Sequence, residues 1–249
     1  YNSFPVNGGR QSFRLTQVLQ DQIGRMANTN QLNGLAPILT FQSVLDFTVS
    51  TRAIISALYA YLPANGSELV LFDVNRSVKF GPLLRRSSEA ALARTLPDLP
   101  QAYRITIVGN DAANPAATFA RTIGAGETTE RVKFLGVRYP PEIFSMSHVS
   151  IPFPLDDPLY GLYPDTTYED FGVQLGTLAP RGERGALVVN MDFLSRVASN
   201  PFFPFMLERI EYGILDPQPR AMPGLPGTLA PKMPHPPSAA EIEDFFADA

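Results

Sequence analysis

Few side chains in this 249-residue chain could do acid–base chemistry, and two of them stand out. The chain has two histidines and no cysteine, which excludes thiolate nucleophiles, disulfides and cysteine-ligated metals within it. His235 lies in a proline-rich run that is too irregular to hold a catalytic imidazole. His148 follows an apolar run that begins at Ile143, where a strand would pass into a loop. Because α/β sheets build their sites at strand ends, His148 is the candidate general base, although a structural role stays open.

Asp46 is the candidate acidic partner of His148. It follows the strand-like run at residues 37–42 by four residues and precedes a helical run that begins at Val49. In that position it could equally cap the helix or place a stabilising charge near the helix N-terminus. A loop aspartate that precedes a loop histidine is also the order of these residues in α/β-hydrolases. Two readings of Asp46, structural and catalytic, therefore remain open at this point.

Hydrophobic periodicity predicts alternating helices and strands around these two residues. Helices are expected over residues 10–26, 49–62 and 87–96, with a short aromatic helix over 202–210. Strands are expected over residues 37–42, 68–74, 104–109, 132–137 and 143–151, with a further short one at 187–189. This alternation favours an α/β fold with a mostly parallel sheet flanked by helices. The aromatic run from Phe202 to Met206 is either core or a lid, lipid or subunit contact.

Composition and motifs exclude several classes of function. The net charge is −4 and lysine and arginine form no dense cluster, which argues against a nucleic-acid partner. No apolar run reaches the roughly 18 residues needed to span a bilayer. The run Gly124-Ala125-Gly126 lacks the glycine and lysine of a phosphate loop, so no cofactor is predicted. Two distant histidines argue against a metal site, and Asn75, Asn110 and Asp111 are interpreted as residues of turns or ion pairs.

Two segments resemble bacterial α/β-hydrolases of the serine-aminopeptidase or lysophospholipase-like group. The sequence PILTFQSVLDFTVS at residues 37–50 is similar to the strand and acid segment of that family, and residues 144–161 are similar to its histidine segment. The resemblance covers about residues 1–161 and implies that Asp46 is the triad acid and His148 the general base. The family's nucleophile is a serine in a Gly-x-Ser-x-Gly motif that precedes the acid. No such motif occurs in the chain, so the resemblance implies the C-terminal part of a hydrolase whose serine and oxyanion hole lie upstream of Tyr1.

These inferences give an expected organisation. Residues 1–34 would end a lid or cap, residues 35–161 would form the C-terminal half of a hydrolase core, and residues 162–249 would form an irregular extension with a proline-rich arm. The implied activity is hydrolysis of a small ester or lipid-like substrate through an acyl-enzyme, without cofactor or metal. The expected partner is the upstream segment or chain that carries the nucleophile, and a homo-oligomer is also compatible. The sequence leaves the compartment open, slightly favouring an extracytoplasmic one.

A second function from another class fits the same sequence. A half-fold that is cut along a parallel sheet leaves an unpaired strand edge, which is a surface for association. The chain could therefore be a non-catalytic module that binds a partner chain through this edge.

Overall fold

A computed structural model of the chain describes residues 6–46, 49–75, 83, 91–143, 153–176 and 199–215. The helices are α1 Val6–Asn28, α2 Thr51–Ala57, α3 Ala91–Thr95 and α4 Phe203–Leu215, and a 3-10 helix covers Tyr59–Tyr61. The strands are β1 Leu39–Ser43, β2 Glu68–Phe72, β3 Arg104–Asn110, β4 Ala117–Ile123 and β5 Glu130–Arg138. His148, His235, the possible strand at 187–189 and the proline-rich arm beyond residue 215 lie outside the described residues.

The five strands form one sheet in the order β1-β2-β3-β4-β5. The first three strands are parallel, and β4 and β5 are added antiparallel. The predicted α/β class is confirmed, but the expectation of a mostly parallel sheet is wrong because two of the four pairings are antiparallel. Connection length explains the difference: β1 reaches β2 through α2, whereas only residues 111–116 join β3 to β4. A parallel crossover needs about a dozen residues, so this short link permits only a hairpin.

Strand β4 is absent from the strands that periodicity predicts. Its sequence ATFARTI contains four residues that favour strands, but its apolar and polar residues do not alternate, so periodicity does not mark it. The hairpin brings it onto β3, where Ile123 pairs with Ile105 and Thr122 pairs with Thr106. Pairing with β3 therefore defines a strand that the apolar pattern alone does not indicate.

Helices cover the two faces of the sheet around β2, all of whose residues are buried. Strands buried on both faces read as continuous apolar runs, which is why β2 is the clearest strand in the sequence. On one face, β2 and β3 pack against α2, the 3-10 helix and α3. The buried side chains of this face include Ile55, Tyr59, Leu69, Leu71, Leu92, Tyr103, Ile105 and Ile107. The other face packs against α4 and the segment before it, with Val70, Phe72, Val108, Ala120, Phe202, Phe205 and Met206.

The aromatic run at the start of α4 belongs to the core, which resolves the choice that the sequence left open. Phe202 is fully buried, and its ring lies 5.2 Å from that of Phe72 and 5.7 Å from that of Tyr139. Further along α4, the Arg209 guanidinium donates to the carboxylate of Glu68, which is itself buried. Apolar contacts at the start of α4 and an ion pair at its middle therefore hold the helix on the sheet.

Helix α1 confirms the predicted amphipathic helix and extends it by a few residues at each end. Its apolar side chains do not enter the core: Leu15, Val18 and Leu19 are 70%, 58% and 53% exposed. An amphipathic helix normally buries its apolar stripe. Within the described residues this stripe therefore remains an apolar surface.

Two core tyrosines that contact each other give a test of this packing. The rings of Tyr59 and Tyr103 lie edge to face at 4.6 Å. The Tyr59 hydroxyl donates to the carbonyl of Glu68 at 2.7 Å and lies 3.3 Å from the carbonyl of Ile38. The hydroxyl of Tyr103 is buried and has no hydrogen-bond partner among the described residues.

We expect Tyr59→Phe to lower the free energy of unfolding by about 1 kcal/mol and Tyr103→Phe to leave it unchanged or raise it. Burial raises the pKa of Tyr59 to about 12 and also raises the pKa of Tyr103. Since the unfolded tyrosines ionise near pH 10, the wild-type stability should be constant below that pH and fall above it. Urea titrations from pH 7 to pH 11 measure both effects. Equal losses in the two variants at pH 7 would contradict the assigned hydrogen bonds.

Candidate functional site

The carboxyl ends of the three parallel strands meet at one edge of the sheet. Register aligns Ser43 of β1 with Phe72 of β2, and Phe72 with Val108 of β3. The polar residues that follow each strand, among them Asp46 and Asn75, therefore lie along this edge. Open α/β sheets bind ligands at this edge, and we refer to it as the carboxyl edge.

Asp46 lies in the loop between β1 and α2 and is half-buried. Its N–H donates to the carbonyl of Ser43 at 3.3 Å, and its Oδ1 accepts from the N–H of Val49 at 3.0 Å. The residue that caps α2 is Ser50, whose hydroxyl accepts from the N–H of Ala53 at 3.2 Å. The structure therefore assigns the capping role to Ser50 and not to Asp46, whose carboxylate orders the loop instead.

Asn75 and Asn110 form a buried polar pair that sequence reasoning interpreted as turn or ion-pair residues. Asn75 is 0% exposed and Asn110 is 7% exposed. The Asn110 amide donates to Asn75 Oδ1 at 2.9 Å, and the backbone N–H of Asn75 donates to Asn110 Oδ1 at the same distance. Buried amides that satisfy one another fix the ends of β2 and β3 relative to each other. The sequence signal for this pair is an asparagine just after each of two neighbouring apolar strands.

The same asparagine holds the chain that leads toward His148. The side-chain amide of Asn75 donates to the Tyr139 hydroxyl at 3.0 Å and to the carbonyl of Ile143 at 3.2 Å. Ile143 is 1% exposed and is the last residue before the segment 144–152, which lies outside the description. The chain therefore enters the segment that contains His148 from the carboxyl edge.

At Gly109, the backbone of β3 closely approaches the backbone just after β2. A Cβ atom placed on Gly109 would lie 2.9 Å from the carbonyl oxygen of Asp73 and 3.4 Å from the ring of Phe119. Only glycine permits that spacing, because real Cβ atoms do not approach backbone oxygen so closely. The ends of β2 and β3 are thus packed more tightly than larger residues would allow.

The chain after the undescribed segment is also anchored. The carbonyl of Phe153 accepts from the N–H of Asn200 at 2.7 Å, and its ring stacks on that of Tyr160 at 4.3 Å. Asp157 Oδ1 accepts from the N–H groups of Leu159 and Tyr160, which orders a turn after Phe153. The chain is therefore anchored before the segment that contains His148, at the end of β2, and after that segment, to the residues that precede α4.

A cleft lies between the sheet and α4, near the residues where the parallel strands begin. It has a volume of about 260 Å³ and includes Glu68, Thr106, Lys133 and Arg209 in its lining. Glu68 accepts from the Thr106 hydroxyl at 2.7 Å and pairs with the guanidinium of Arg209. These contacts attach α4 to the sheet, so the cleft is separate from Asp46 and its loop.

The described residues contain no group of three or more histidine, cysteine, aspartate or glutamate side chains that could hold a metal ion. None of the helices in the described ranges has the length and apolar character that crossing a bilayer requires. Comparisons of the chain with protein-family models, with curated proteins and with solved structures find no match.

Proposed function

We propose that this chain is the C-terminal part of a serine hydrolase of the α/β-hydrolase type. In this proposal Asp46 orients His148, and the nucleophilic serine comes from a segment outside the given sequence. The substrate is a small carboxylic ester with an apolar acyl or aromatic group, and the reaction needs no cofactor or metal. The low charged fraction of the chain, 18%, favours such a substrate over a charged peptide.

The hydrogen bond from Asn75 to the carbonyl of Ile143 is the observation that carries the proposal. This bond holds Ile143, which lies five residues before His148, close to the end of β2. Strand β2 is the neighbour of β1, and Asp46 follows β1. Five residues span at most about 18 Å, whereas neighbouring strands lie about 4.8 Å apart. The imidazole of His148 is therefore within reach of the Asp46 carboxylate.

The proposed reaction has two balanced steps. His148 accepts the serine hydroxyl proton as the serine oxygen attacks the ester carbonyl, and then gives that proton to the departing alkoxide. A water molecule next attacks the acyl-enzyme, loses its proton to His148, and the serine recovers a proton as the carboxylic acid leaves. Asp46 accepts from the imidazole Nδ1–H throughout, which fixes the tautomer and stabilises the imidazolium.

The Asp46–His148 contact can be tested on this chain alone by proton NMR. An imidazole N–H that donates to a carboxylate is expected far downfield and protected from exchange. The resonance should be present in the wild type and absent in Asp46→Asn and His148→Gln. The chain has only one other histidine, so His235→Gln is the matched control and should keep the signal. A signal that survives His148→Gln, or its absence from the wild type, would refute the pairing.

The location of the nucleophile is tested separately with a fluorophosphonate probe and intact-mass spectrometry. The proposal expects that this chain by itself gains no probe mass, and that a polypeptide carrying the nucleophile gains it when the two are combined. Rapid labelling of a serine in this chain would show that the nucleophile is misassigned.

A second candidate function is a non-catalytic module that binds a partner chain. It is favoured by β1, which pairs only with β2 among the described strands, and by the exposed apolar stripe of α1. One experiment distinguishes the hydrolase from the interaction module. If a bound partner polypeptide co-purifies, takes no probe, and binds Asp46→Asn and wild type equally, the interaction module is correct and the hydrolase is not.

A further inference from the structure

The cleft between α4 and the sheet plays no part in the proposed hydrolase. Its volume is about 260 Å³, with strands β2 to β5 on one side and the first two turns of α4 on the other. Lys133 of β5 and Pro204 and Glu208 of α4 are exposed, so the cleft is open to solvent. At about 30 Å³ for each water-sized group, the cleft has room for about eight or nine non-hydrogen atoms of a ligand.

One end of the cleft is apolar. The apolar side chains that line it are Ala120, Leu135, Val137, Pro204 and Phe205. Ala120 and Phe205 belong to the buried core, and Leu135 and Val137 are partly buried against it. Ala120 pairs with Val108, which lies four residues, or about 13 Å, along β3 from Arg104. The hydrophobic effect therefore favours a ligand that places apolar groups at this end.

Two guanidinium groups share one carboxylate at the other end of the cleft. The Arg209 guanidinium donates to Glu68 Oε2, and the Thr106 hydroxyl donates to Glu68 Oε1 at 2.7 Å. Arg104 faces Glu68 across the β2–β3 register, but its Nη1 lies 3.8 Å from Glu68 Oε2. This distance allows an ion pair and is too long for a hydrogen bond. Since Arg209 and Thr106 already donate to Glu68, Arg104 keeps donors for a second anion.

The charges of the cleft favour one additional negative charge beside Arg104. At the exposed rim, the opposite charges of Lys133 and Glu208 balance each other. In the interior, the two guanidinium groups of Arg104 and Arg209 face the single carboxylate of Glu68. Salt screens partly buried charges less than exposed ones, so the interior excess of one positive charge attracts an anion. The planar fork of a guanidinium matches a carboxylate in particular.

We propose that this cleft binds a small monocarboxylic acid with an apolar body of about six or seven carbon atoms, such as hexanoate or benzoate. The carboxylate accepts hydrogen bonds from Arg104, and the carbon chain lies against Leu135, Val137 and Phe205. This inference is independent of the proposed hydrolase function, because it uses none of the residues around Asp46 and needs no nucleophile.

Isothermal titration calorimetry of the 249-residue chain with hexanoate tests the proposal. We expect saturable binding at one site with a Kd of about 1 mM or below. Hexanamide has nearly the same shape without the charge, and it should bind at least about tenfold more weakly. Butyrate is shorter by two methylene groups and should also bind about tenfold more weakly, since each buried methylene changes the affinity about threefold.

Replacing Arg104 with glutamine should raise the Kd for hexanoate about tenfold or more. The buried carboxylate of Glu68 keeps its ion pair with α4 in this variant. Arg121→Gln is the matched control, because the Arg121 side chain is 33% exposed against 31% for Arg104 and also lies near a carboxylate, that of Glu130. Arg121 pairs with Ile107, whose side chain belongs to the core on the opposite face of the sheet. The control should therefore keep the wild-type Kd to within about twofold.

Leu135→Ala tests the apolar end of the cleft without changing a charge. It should weaken hexanoate binding several-fold and reduce the difference in affinity between hexanoate and butyrate. This result supports the site even if Arg104→Gln fails to fold. The proposal is overturned if the wild-type chain shows no saturable binding of hexanoate or binds hexanamide equally well. Equal losses of affinity in Arg104→Gln and Arg121→Gln would overturn it too.

Discussion

Replacing Asp46 with asparagine is expected to lower kcat/KM for ester hydrolysis about ten-thousand-fold in the enzyme that the nucleophile segment completes. The amide cannot stabilise an imidazolium, and it favours the wrong tautomer of His148. Asparagine keeps an oxygen that can accept from the N–H of Val49, which is the contact that orders the Asp46 loop. The expected loss therefore reports the carboxylate charge and not a collapsed loop. Initial rates on a p-nitrophenyl ester measure it.

Asp111→Asn is the matched control for this substitution. Asp111 follows β3 as Asp46 follows β1, and its Oδ1 accepts from the N–H of Ala113 at 2.7 Å. The same chemical change at Asp111 should leave kcat/KM within a factor of about two. An Asp46→Asn enzyme that keeps a tenth or more of wild-type activity would rule out Asp46 as the triad acid. A complete enzyme that cleaves aminoacyl amides much faster than esters would refute the proposed substrate class.

Replacing Asn75 with glycine is expected to lower the free energy of unfolding by about 3 kcal/mol. The substitution leaves the Asn110 amide, the Tyr139 hydroxyl and the Ile143 carbonyl without their Asn75 partner in the interior. An unsatisfied buried polar group costs about 1–3 kcal/mol, and water can satisfy part of the set. Glycine accepts the positive φ of 59° at this position without strain, so the loss reports hydrogen bonds. Urea unfolding curves measure the difference.

Asn30 offers the matched control because its φ of 57° is nearly the same as that of Asn75. It lies exposed after α1, away from the buried amide pair. Asn30→Gly should therefore change the free energy of unfolding by no more than about 0.5 kcal/mol. Similar effects at the two positions would mean that backbone conformation, and not the amide network, explains the asparagine at residue 75.

Local pattern was sufficient for the elements that have a regular spacing of apolar residues or an unbroken apolar run. The helical periodicity of α1 and the continuous apolar run of β2 both predicted the right element, because 3.6-residue spacing and uninterrupted burial leave a direct mark on the sequence. The antiparallel direction of β4 then followed from the short connection between β3 and β4. Strand β4 left no such mark, since its apolar and polar residues do not alternate, and its pairing with β3 was visible only in the structure.

Some residues of the candidate site were likewise indicated by the local sequence, and others only by the structure. Asp46 was found because a loop carboxylate after a strand is visible in one dimension, and the structure locates it at the carboxyl edge of the sheet. Only the structure showed that Ser50, and not Asp46, caps α2. Asn75 and Asn110 looked like turn residues, since a buried amide pair depends on residues 35 positions apart that meet only after β2 and β3 align.

By itself, the sequence determined the α/β class, the positions of most helices and strands, and the pair Asp46 and His148 as the residues to test. These properties depend on the spacing of apolar and polar residues along the chain, which can be read from short stretches of sequence. Only the tertiary structure decided that the sheet is mixed, that α4 belongs to the core, and that Asn75 ties β2 to Ile143. Those properties depend on contacts between residues that are far apart in the sequence. Such contacts contribute free energy only after the intervening chain has closed into a loop.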